Sequence, residues 1–341
     1  MKILHIATPQ KFTIPFFELI EKEFAHEQHY ILSHASTYEW PKSTKIKNRN
    51  SAGPIWFWDF MQAIYSSEKV IIHGLWDIYV IALLFLQPWL LKKCYWMIFG
   101  GDLYDYESSR RNWRWWLRIF LKKPVIKRMG HLVTYVEGDV ELARNWFGAR
   151  GKYHECIMYV SNIYREHPIK SEPHSTINIQ IGNSADPSNN HLEILDKLYP
   201  FRDENIEIYA PLSYGCQEYA NSVIKIGKER FGDKFTPLTE LMPFDQYLNF
   251  LGRVDIAIFN HKRQQAMGNI ITLLGLGKKV YMRNDVSSWR MLSKAGIKVY
   301  ETSSIELSAM DKSFASSNQK AIKSLFSEKK IITQLNEIFE G

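Results

Sequence analysis

The stretch Asp255–Val280, DIAIFNHKRQQAMGNIITLLGLGKKV, decides the fold. Its first five residues form an apolar run with the length of a buried strand. A polar loop at 260–265 follows, and Met267–Leu276 then has the pattern of a helix that Gly277 stops. The run at 279–282 begins the next strand. A strand, loop, helix and strand in this order build a parallel sheet.

The loop of this unit is predicted to bind a diphosphate. It follows the carboxyl end of a strand, where open α/β sheets bind ligands. Small residues at 266 and 268 leave backbone N–H groups accessible at a helix start, which attracts anions, and residues 261–263 add positive charge. The alternative is an ordinary loop with a solvated run of charge. The predicted binding residues here are Asn260, His261, Arg263, Gln264, Gln265, Met267, Gly268 and Asn269.

The charge is unevenly distributed along the 341 residues, a length that suits two domains. Residues 1–165 carry 22 Lys and Arg against 15 Asp and Glu, and residues 166–341 carry 21 against 21. The first half is therefore predicted to meet an anionic partner, such as a membrane surface, a nucleic acid or a phosphorylated substrate. Three widely spaced cysteines favour a reducing compartment.

The hydrophobic segments predict no membrane-spanning helix. The most apolar window, Tyr79–Leu91, has 13 residues and includes Gln87 and Pro88. A bilayer-spanning helix needs roughly 20 apolar residues, so this window predicts a buried or interfacial helix. The apolar run near the N-terminus is too short for a signal peptide and predicts a first strand.

The first half repeats a pattern of a strand followed by glycine and a carboxylate. Strands at 70–73, 95–99 and 132–136 are followed by Asp77, Asp102 and Glu137, which predicts a doubly wound sheet with acids at its carboxyl edge. Asp102 and Glu137 are the preferred candidates for acid–base chemistry. The alternative for each acid is a helix N-cap, a position that favours Asp. The segment 41–54 is predicted to be a basic, polar loop.

Residues 110–128, RRNWRWWLRIFLKKPVIKR, predict a basic amphipathic helix that Pro124 ends or kinks. Trp113, Trp116 and the leucine and phenylalanine residues that follow form an apolar stripe, and cations recur at every fourth position. Such a helix fits a lipid headgroup interface. The alternative is a surface helix whose Trp residues face the core. The predicted membrane or acceptor residues are Arg110, Trp113, Arg114, Trp116, Arg118 and Lys122.

The second half begins after a Pro- and His-containing linker at 165–176. A strand is predicted at 177–181, followed by a polar turn and a helix from His191; the last strand is predicted at 297–300 and helix at 315–339. This turn is the first strand-to-helix corner of a second nucleotide-type domain. The predicted binding residues in it are Gly182, Asn183, Ser184, Asp186, Asn189 and Asn190.

Two Rossmann-like halves around a linker predict an α/β GT-B glycosyltransferase, with two domains facing a cleft. The first domain, 1–165, would hold the acceptor and face the membrane. The second, 166–341, would hold the nucleotide-sugar donor, its final helix being free to pack back on the first domain. No GxGxxG follows the first strand, which argues against NAD binding.

Two blocks, IGNSADPSNNH at 181–191 and IFNHKRQQAMGNIITLLGLGKKVY at 258–281, resemble the 4-acetamido-4,6-dideoxy-D-galactose (Fuc4NAc) transferase family. The resemblance runs through most of the second half and is looser in the first. It implies transfer of Fuc4NAc from TDP-Fuc4NAc to a polyprenyl-diphosphate-linked saccharide. The pathway would be enterobacterial common antigen synthesis, or O-antigen synthesis from the same donor.

The combined interpretation is a peripheral enzyme on the cytoplasmic face of the inner membrane. Cations and backbone dipoles would stabilise the leaving diphosphate, so that no metal or other cofactor is expected. The residues allow an inverting reaction, which needs a base, or a retaining one. The partners expected are a TDP-sugar, a polyprenyl-diphosphate-linked acceptor and an anionic membrane, without nucleic acid. The alternatives are a sugar-nucleotide epimerase of the same fold and a non-enzymatic nucleic-acid-binding protein.

Overall fold

The computed structural model of the protein describes residues 2–24, 28–34, 40, 47–51, 53–107, 111–166 and 174–341, with the backbone alone at 47–51. These residues divide into two compact units. Unit 1 comprises Met1–Ile163 and Glu328–Gly341, and unit 2 comprises Tyr164–Ser327.

Unit 1 is built on a parallel sheet. Within the described residues it has seven strands in the order β3-β2-β1-β4-β5-β6-β7, so the order reverses between β1 and β4. A central strand such as Lys69–His73, KVIIH, is a nearly continuous apolar run because helices cover both faces of such a sheet. The elements are β1 (Lys2–Ile6), α1 (Thr13–Glu23), β2 (Gln28–His34), β3 (Lys47–Ser51), α2 (Gly53–Ser66), β4 (Lys69–His73), α3 (Ile78–Leu86), β5 (Cys94–Met97), α4 (Gly101–Tyr104), α5 (Trp113–Arg128), β6 (His131–Thr134), α6 (Glu137–Phe147) and β7 (Lys152–Glu155).

Unit 2 has the same architecture on a smaller scale. Six parallel strands of the described chain follow the order β10-β9-β8-β11-β12-β13, and the order reverses between β8 and β11. The elements are β8 (Ile177–Ile181), α7 (His191–Leu198), β9 (Ile206–Pro211), α8 (Gln217–Phe231), β10 (Phe235–Leu238), α9 (Phe244–Arg253), β11 (Ile256–Phe259), α10 (Met267–Gly275), β12 (Lys279–Met282), α11 (Ser287–Lys294), β13 (Tyr300–Glu301) and α12 (Lys312–Leu325).

The last helix, α13 (Glu328–Glu340), belongs to unit 1. The Nζ of Lys69 donates to the carbonyl oxygens of Ile338 and Phe339 at 2.8 and 2.9 Å, which caps the helix end. The Phe339 ring packs edge-on against Phe24 and His29. A cation at the C-terminal carbonyls of a helix is stabilising, so this contact fastens α13 to the unit 1 sheet.

Three local predictions need correction. The segment 41–54 was expected to be a loop, but β3 pairs with β2 at Lys47–Ser51 and α2 starts at Gly53; residues 41–46 and 52 lie outside the described chain. Backbone hydrogen bonds to β2 form this edge strand, so its polar side chains did not reveal it. Helix α5 continues past Pro124 to Arg128. Proline has no N–H, and the helical hydrogen bond that it removes is the one to the carbonyl of the exposed residue Phe120. The strand expected at 297–300 is short, because the N–H of Ile297 instead bonds Leu292 at the end of α11.

In the described residues, no helix combines the length and the apolar composition that a membrane span requires.

Candidate functional site

The predicted site residues of the second half meet at the carboxyl ends of β8 and β11. The strand order of unit 2 reverses between these two strands, and open α/β sheets bind ligands at such a switch point. The turn 182–190 follows β8 and the loop 260–266 follows β11. The two predicted segments therefore face one another across a single corner, which we call the unit 2 corner.

Buried polar side chains hold the unit 2 corner in shape. The Oδ1 of Asn189 accepts from the backbone N–H of Asn183 at 2.9 Å and from the Nε2 of His261 at 2.7 Å. His261 was expected to add positive charge, but burial lowers its pKa to about 3, so it is a neutral imidazole that carries its proton on Nε2. The hydrogen bond of this ring joins the loop after β11 to the turn after β8.

A second bridge joins the loops through Asn190. Its Nδ2 donates to the carbonyl of Asn260 at 2.9 Å, and Asn260 in turn accepts from the Oγ1 of Thr302 at 3.2 Å. Asn190 itself is left-handed, with φ of 50°. Asn tolerates this conformation, which explains why it stands here instead of a β-branched residue.

Gly182 begins the turn, and no other residue fits there. Its φ is +63°, and a Cβ would lie 2.3 Å from the Nε2 of His191 and 2.7 Å from the Oδ1 of Asn189. The predicted residues Gly182, Ser184, Asn189, Asn260, His261 and Met267 are all buried. These buried residues therefore shape the corner, and the remaining predicted residues lie nearer its surface.

The remaining predicted residues form a half-exposed rim. Gln265 bridges the loops, since its Oε1 accepts from the hydroxyl of Ser188 at 2.7 Å. The guanidinium of Arg263 lies 3.9 Å from the carboxylate of Asp186, a loose ion pair that leaves donors free for an anion. The rim residues are Asn183, Asp186, Asn190, Arg263, Gln264, Gln265, Gly268 and Asn269.

The residue before α10 has an unusual backbone conformation. Ala266 precedes the helix in the left-handed conformation, with φ of 57° and ψ of 22°. A left-handed residue next to right-handed ones turns successive N–H groups towards one side, and the first N–H groups of a helix have no partner within it. A non-glycine residue in this region costs about 1 kcal/mol or more, which suggests a function for the strained corner.

Two tyrosines that the sequence did not predict extend the rim. The Tyr214 hydroxyl accepts from the Nδ2 of Asn183 at 3.0 Å. Tyr247 of α9 contacts Gln180 and Asn269, and burial raises its pKa well above the usual value of a phenol. These neutral phenol and amide groups surround the helix start. The sequence LSYG after β9 resembles the turns that follow the other strands. This similarity could have identified Tyr214 as a site residue.

Asp102 does not lie where a base could act, which corrects its predicted role. It is fully buried, and its carboxylate accepts from the N–H groups of Leu75, Phe99 and Leu103 and from the indole of Trp96, at 2.7 to 3.0 Å. Asp102 therefore fastens the ends of β4 and β5 together. Glu137 lies exposed in the first turn of α6, and its catalytic role stays a prediction.

Helix α5 leaves the predicted apolar stripe exposed, so the alternative in which Trp113 and Trp116 face the core is wrong. Trp115, Ile119 and Lys122 face the core, whereas Trp113 and Trp116 are 69 and 59 % exposed. Lys122, predicted to be a surface cation, is buried and donates to the carbonyl of Asp102, which is a correction. Arg114 is exposed, Arg118 pairs with Asp105 at 2.6 Å, and Arg110 lies outside the described residues.

Residues 60–332 match the glycosyltransferase family described as "4-alpha-L-fucosyltransferase glycosyl transferase group 56". The chain belongs to this family. It is therefore a glycosyltransferase.

Solved structures agree on the fold of this glycosyltransferase. Sucrose-phosphate synthase from Thermosynechococcus elongatus superposes with a TM-score of 0.71 at 11 % identity, covering 100 % of this chain and 98 % of that one. A glycosyltransferase from Rickettsia africae gives 0.65 at 12 %, with coverage of 100 and 99 %. HepE from Anabaena in complex with UDP gives 0.68 at 10 %, covering both chains fully. The predicted GT-B fold with two Rossmann-like domains is confirmed.

Among the residues that the structure describes, no three His, Cys, Asp or Glu side chains come together as metal ligands would.

Proposed function

We propose that this glycosyltransferase transfers 4-acetamido-4,6-dideoxy-D-galactose from TDP-Fuc4NAc to a polyprenyl-diphosphate-linked saccharide. The observation that carries the proposal is the unit 2 corner, where an amide-rich rim with one arginine surrounds a helix start. The Anabaena HepE structures with UDP and with UDP-glucose support a nucleotide-sugar donor for this fold. Unit 2 would be the donor domain and unit 1 the acceptor domain.

The diphosphate would lie against the start of α10. Its charge would be met by the backbone N–H groups of Met267 and Gly268 and by the guanidinium of Arg263, which can turn away from Asp186. These dipoles and charges would stabilise the diphosphate as it leaves with the electron pair of the broken bond. This arrangement does not need a metal ion, so transfer is expected to survive excess chelator.

The sugar would contact the neutral rim. Fuc4NAc lacks the 6-hydroxyl and carries an acetamido group, which offers one N–H donor and one carbonyl acceptor. Asn183, Gln265 and Asn269 can hydrogen-bond such a group without any charge. Fucose is also a 6-deoxy sugar, so membership of a fucosyltransferase family supports a 6-deoxyhexose donor and makes activated L-fucose the second candidate.

A membrane-bound acceptor is supported by the surface of unit 1. Large side chains are exposed on α5 and on the neighbouring α3 and 3-10 helix at Pro88–Lys93, and no acidic residue occurs within these three elements. Aromatic residues beside cations suit a headgroup interface. The exposed members are Leu86, Trp89, Trp113, Trp116, Leu117 and Phe120. This surface would hold the enzyme at the cytoplasmic face of the inner membrane.

The test is incubation of the purified enzyme with TDP-Fuc4NAc, GDP-L-fucose and UDP-N-acetylglucosamine in turn, each with a polyprenyl-diphosphate-linked disaccharide. TDP release and a matching increase in acceptor mass are expected with TDP-Fuc4NAc. Transfer from GDP-L-fucose alone would favour the second candidate. Conversion of a nucleotide sugar without acceptor would indicate an epimerase and contradict the proposal.

Membrane contact has its own test. Trp113→Ser with Trp116→Ser should weaken sedimentation with anionic vesicles, and added salt should release the parent enzyme. The control is Tyr199→Ser, which removes an exposed aromatic residue of unit 2. Equal vesicle binding by the parent and the double variant would contradict a membrane role for α5.

A further inference from the structure

The carboxyl edge of the unit 1 sheet carries a histidine–aspartate pair. His34 is the last residue of β2, and Asp77 follows β4 as the N-cap of α3. The Nδ1 of His34 lies 3.0 Å from the Oδ2 of Asp77. Strands β2 and β4 flank β1, where the strand order reverses, so the pair spans the switch point of unit 1.

The pair is fixed in one orientation. Asp77 uses Oδ1 to accept from the N–H of Tyr79 at 2.8 Å, which leaves Oδ2 for His34. The His34 ring lies against Trp56 at 4.9 Å between centroids and meets Tyr79 edge-on at 5.3 Å. Because a carboxylate only accepts, the proton of the neutral ring lies on Nδ1 and the lone pair on Nε2.

The other nitrogen is available for chemistry. The Nε2 of His34 has no hydrogen-bond partner among the described residues, and the side chain is 32 % exposed. Trp76 and Tyr79 are exposed beside the pair, at 52 and 60 %. Their faces offer the apolar surface on which a sugar ring can pack. A base in contact with the exposed Tyr79 ring suits a saccharide hydroxyl.

We propose that His34, oriented by Asp77, is the general base that deprotonates the acceptor saccharide. This inference rests on the proposed function. The acceptor O–H proton moves to Nε2 as the acceptor oxygen forms a bond to the anomeric carbon of the donor. The bond from that carbon to the diphosphate oxygen breaks, and the nucleoside diphosphate leaves with the electron pair. Direct displacement of this kind inverts the configuration at the anomeric carbon.

The test compares sugar transfer and TDP binding in the parent enzyme and its variants. His34→Gln should lower kcat by about 100- to 10,000-fold and leave TDP affinity unchanged, since the donor corner is in unit 2. Asp77→Asn keeps an acceptor for the helix cap and should cause a smaller fall. Added imidazole should restore part of the activity of His34→Ala, which would not happen if His34 were only structural.

A matched control exists in unit 2. His174 pairs with Asp255 at 2.8 Å with similar exposure, but Asp255 precedes β11 and so lies at the amino edge of its sheet. His174→Gln should transfer at the parent rate. Full kcat in His34→Gln, or retention of anomeric configuration, would overturn the base while the proposed function stands. A parent enzyme that transfers no sugar would overturn both.

Discussion

The β5–α4 corner of unit 1 and the β11–α10 corner of unit 2 both lead from a parallel strand into a helix but have opposite chemistry. In unit 1, Asp102 turns inward and its carboxylate takes up the donors around it. In unit 2, the corner is lined by amides that bond to each other and to the backbone, and the first N–H groups of α10 have no partner within the helix. A carboxylate at a strand end accepts hydrogen bonds from the donors around it, so that none is left for a ligand. Neutral amides leave a corner that can receive an anion.

The largest predicted effect is the loss of unfolding free energy when Asp102 is replaced. Asp102→Ala removes the acceptor of four buried donors and should lower the free energy of unfolding by about 3–5 kcal/mol. Glu137→Ala, which removes an exposed carboxylate, should change it by less than about 0.5 kcal/mol. Denaturant unfolding of both variants measures this. Equal stabilities would show that Asp102 does not hold unit 1 together.

Acid should also destabilise unit 1. The rings of His29, His5 and His73 form a buried chain that ends at the hydroxyl of Tyr159, with contacts of 2.9 to 3.1 Å. Burial lowers the pKa of His73 to about 3, whereas an unfolded histidine takes a proton near pH 6.5. The stability contributed by the neutral ring is complete above that value and is lost as pH falls towards 3.

The pH slope measures this effect. Each such histidine should add up to about 1.4 kcal/mol per pH unit to the fall in unfolding free energy. His73→Gln should therefore take up about one proton fewer on unfolding than the parent between pH 5 and 6. Unchanged proton uptake in that variant would mean that His73 is charged in the folded protein.

Smaller effects are expected on the rim of the unit 2 corner. Gln265→Ala removes a neutral hydrogen bond, a contribution of roughly 1 kcal/mol, and should weaken TDP-Fuc4NAc binding by about fivefold. Lys320→Ala, on the exposed side of α12, is a suitable control. A larger loss for the control than for Gln265→Ala would contradict the assignment of the rim.

The same comparison explains what the sequence could predict. The corners after β8 and β11 were predicted almost to the residue, because Gly182, Asn190 and the small residues before α10 are required by the backbone itself. Asp102 was misjudged because N-cap preference does not tell whether a carboxylate turns into the core. Asp77 is an N-cap: its Oδ1 accepts from the helix N–H of Tyr79. Its Oδ2 contacts His34, which lies more than 40 residues away in sequence.

Helix α5 was ambiguous for a related reason. It carries two apolar stripes, one through Trp113 and Trp116 and another through Trp115 and Ile119. Periodicity predicts both equally, and only packing against the rest of unit 1 selects the one that is buried. A lysine in the buried stripe, Lys122, could be placed only once the carbonyl of Asp102 was known to receive it.

The central claim is that the unit 2 corner holds the diphosphate of the donor. Calorimetric titration of TDP tests it most directly, in the parent and in variants with unchanged circular dichroism. Arg263→Ala should lose roughly 1.5–3 kcal/mol of binding free energy, about a tenfold to hundredfold weaker affinity, and Gly268→Val should block binding by crowding the start of α10. Arg253→Ala, an exposed arginine just before β11 and so at the opposite edge of the sheet, should bind like the parent. Parent-like affinity in both Arg263→Ala and Gly268→Val would place the donor site elsewhere.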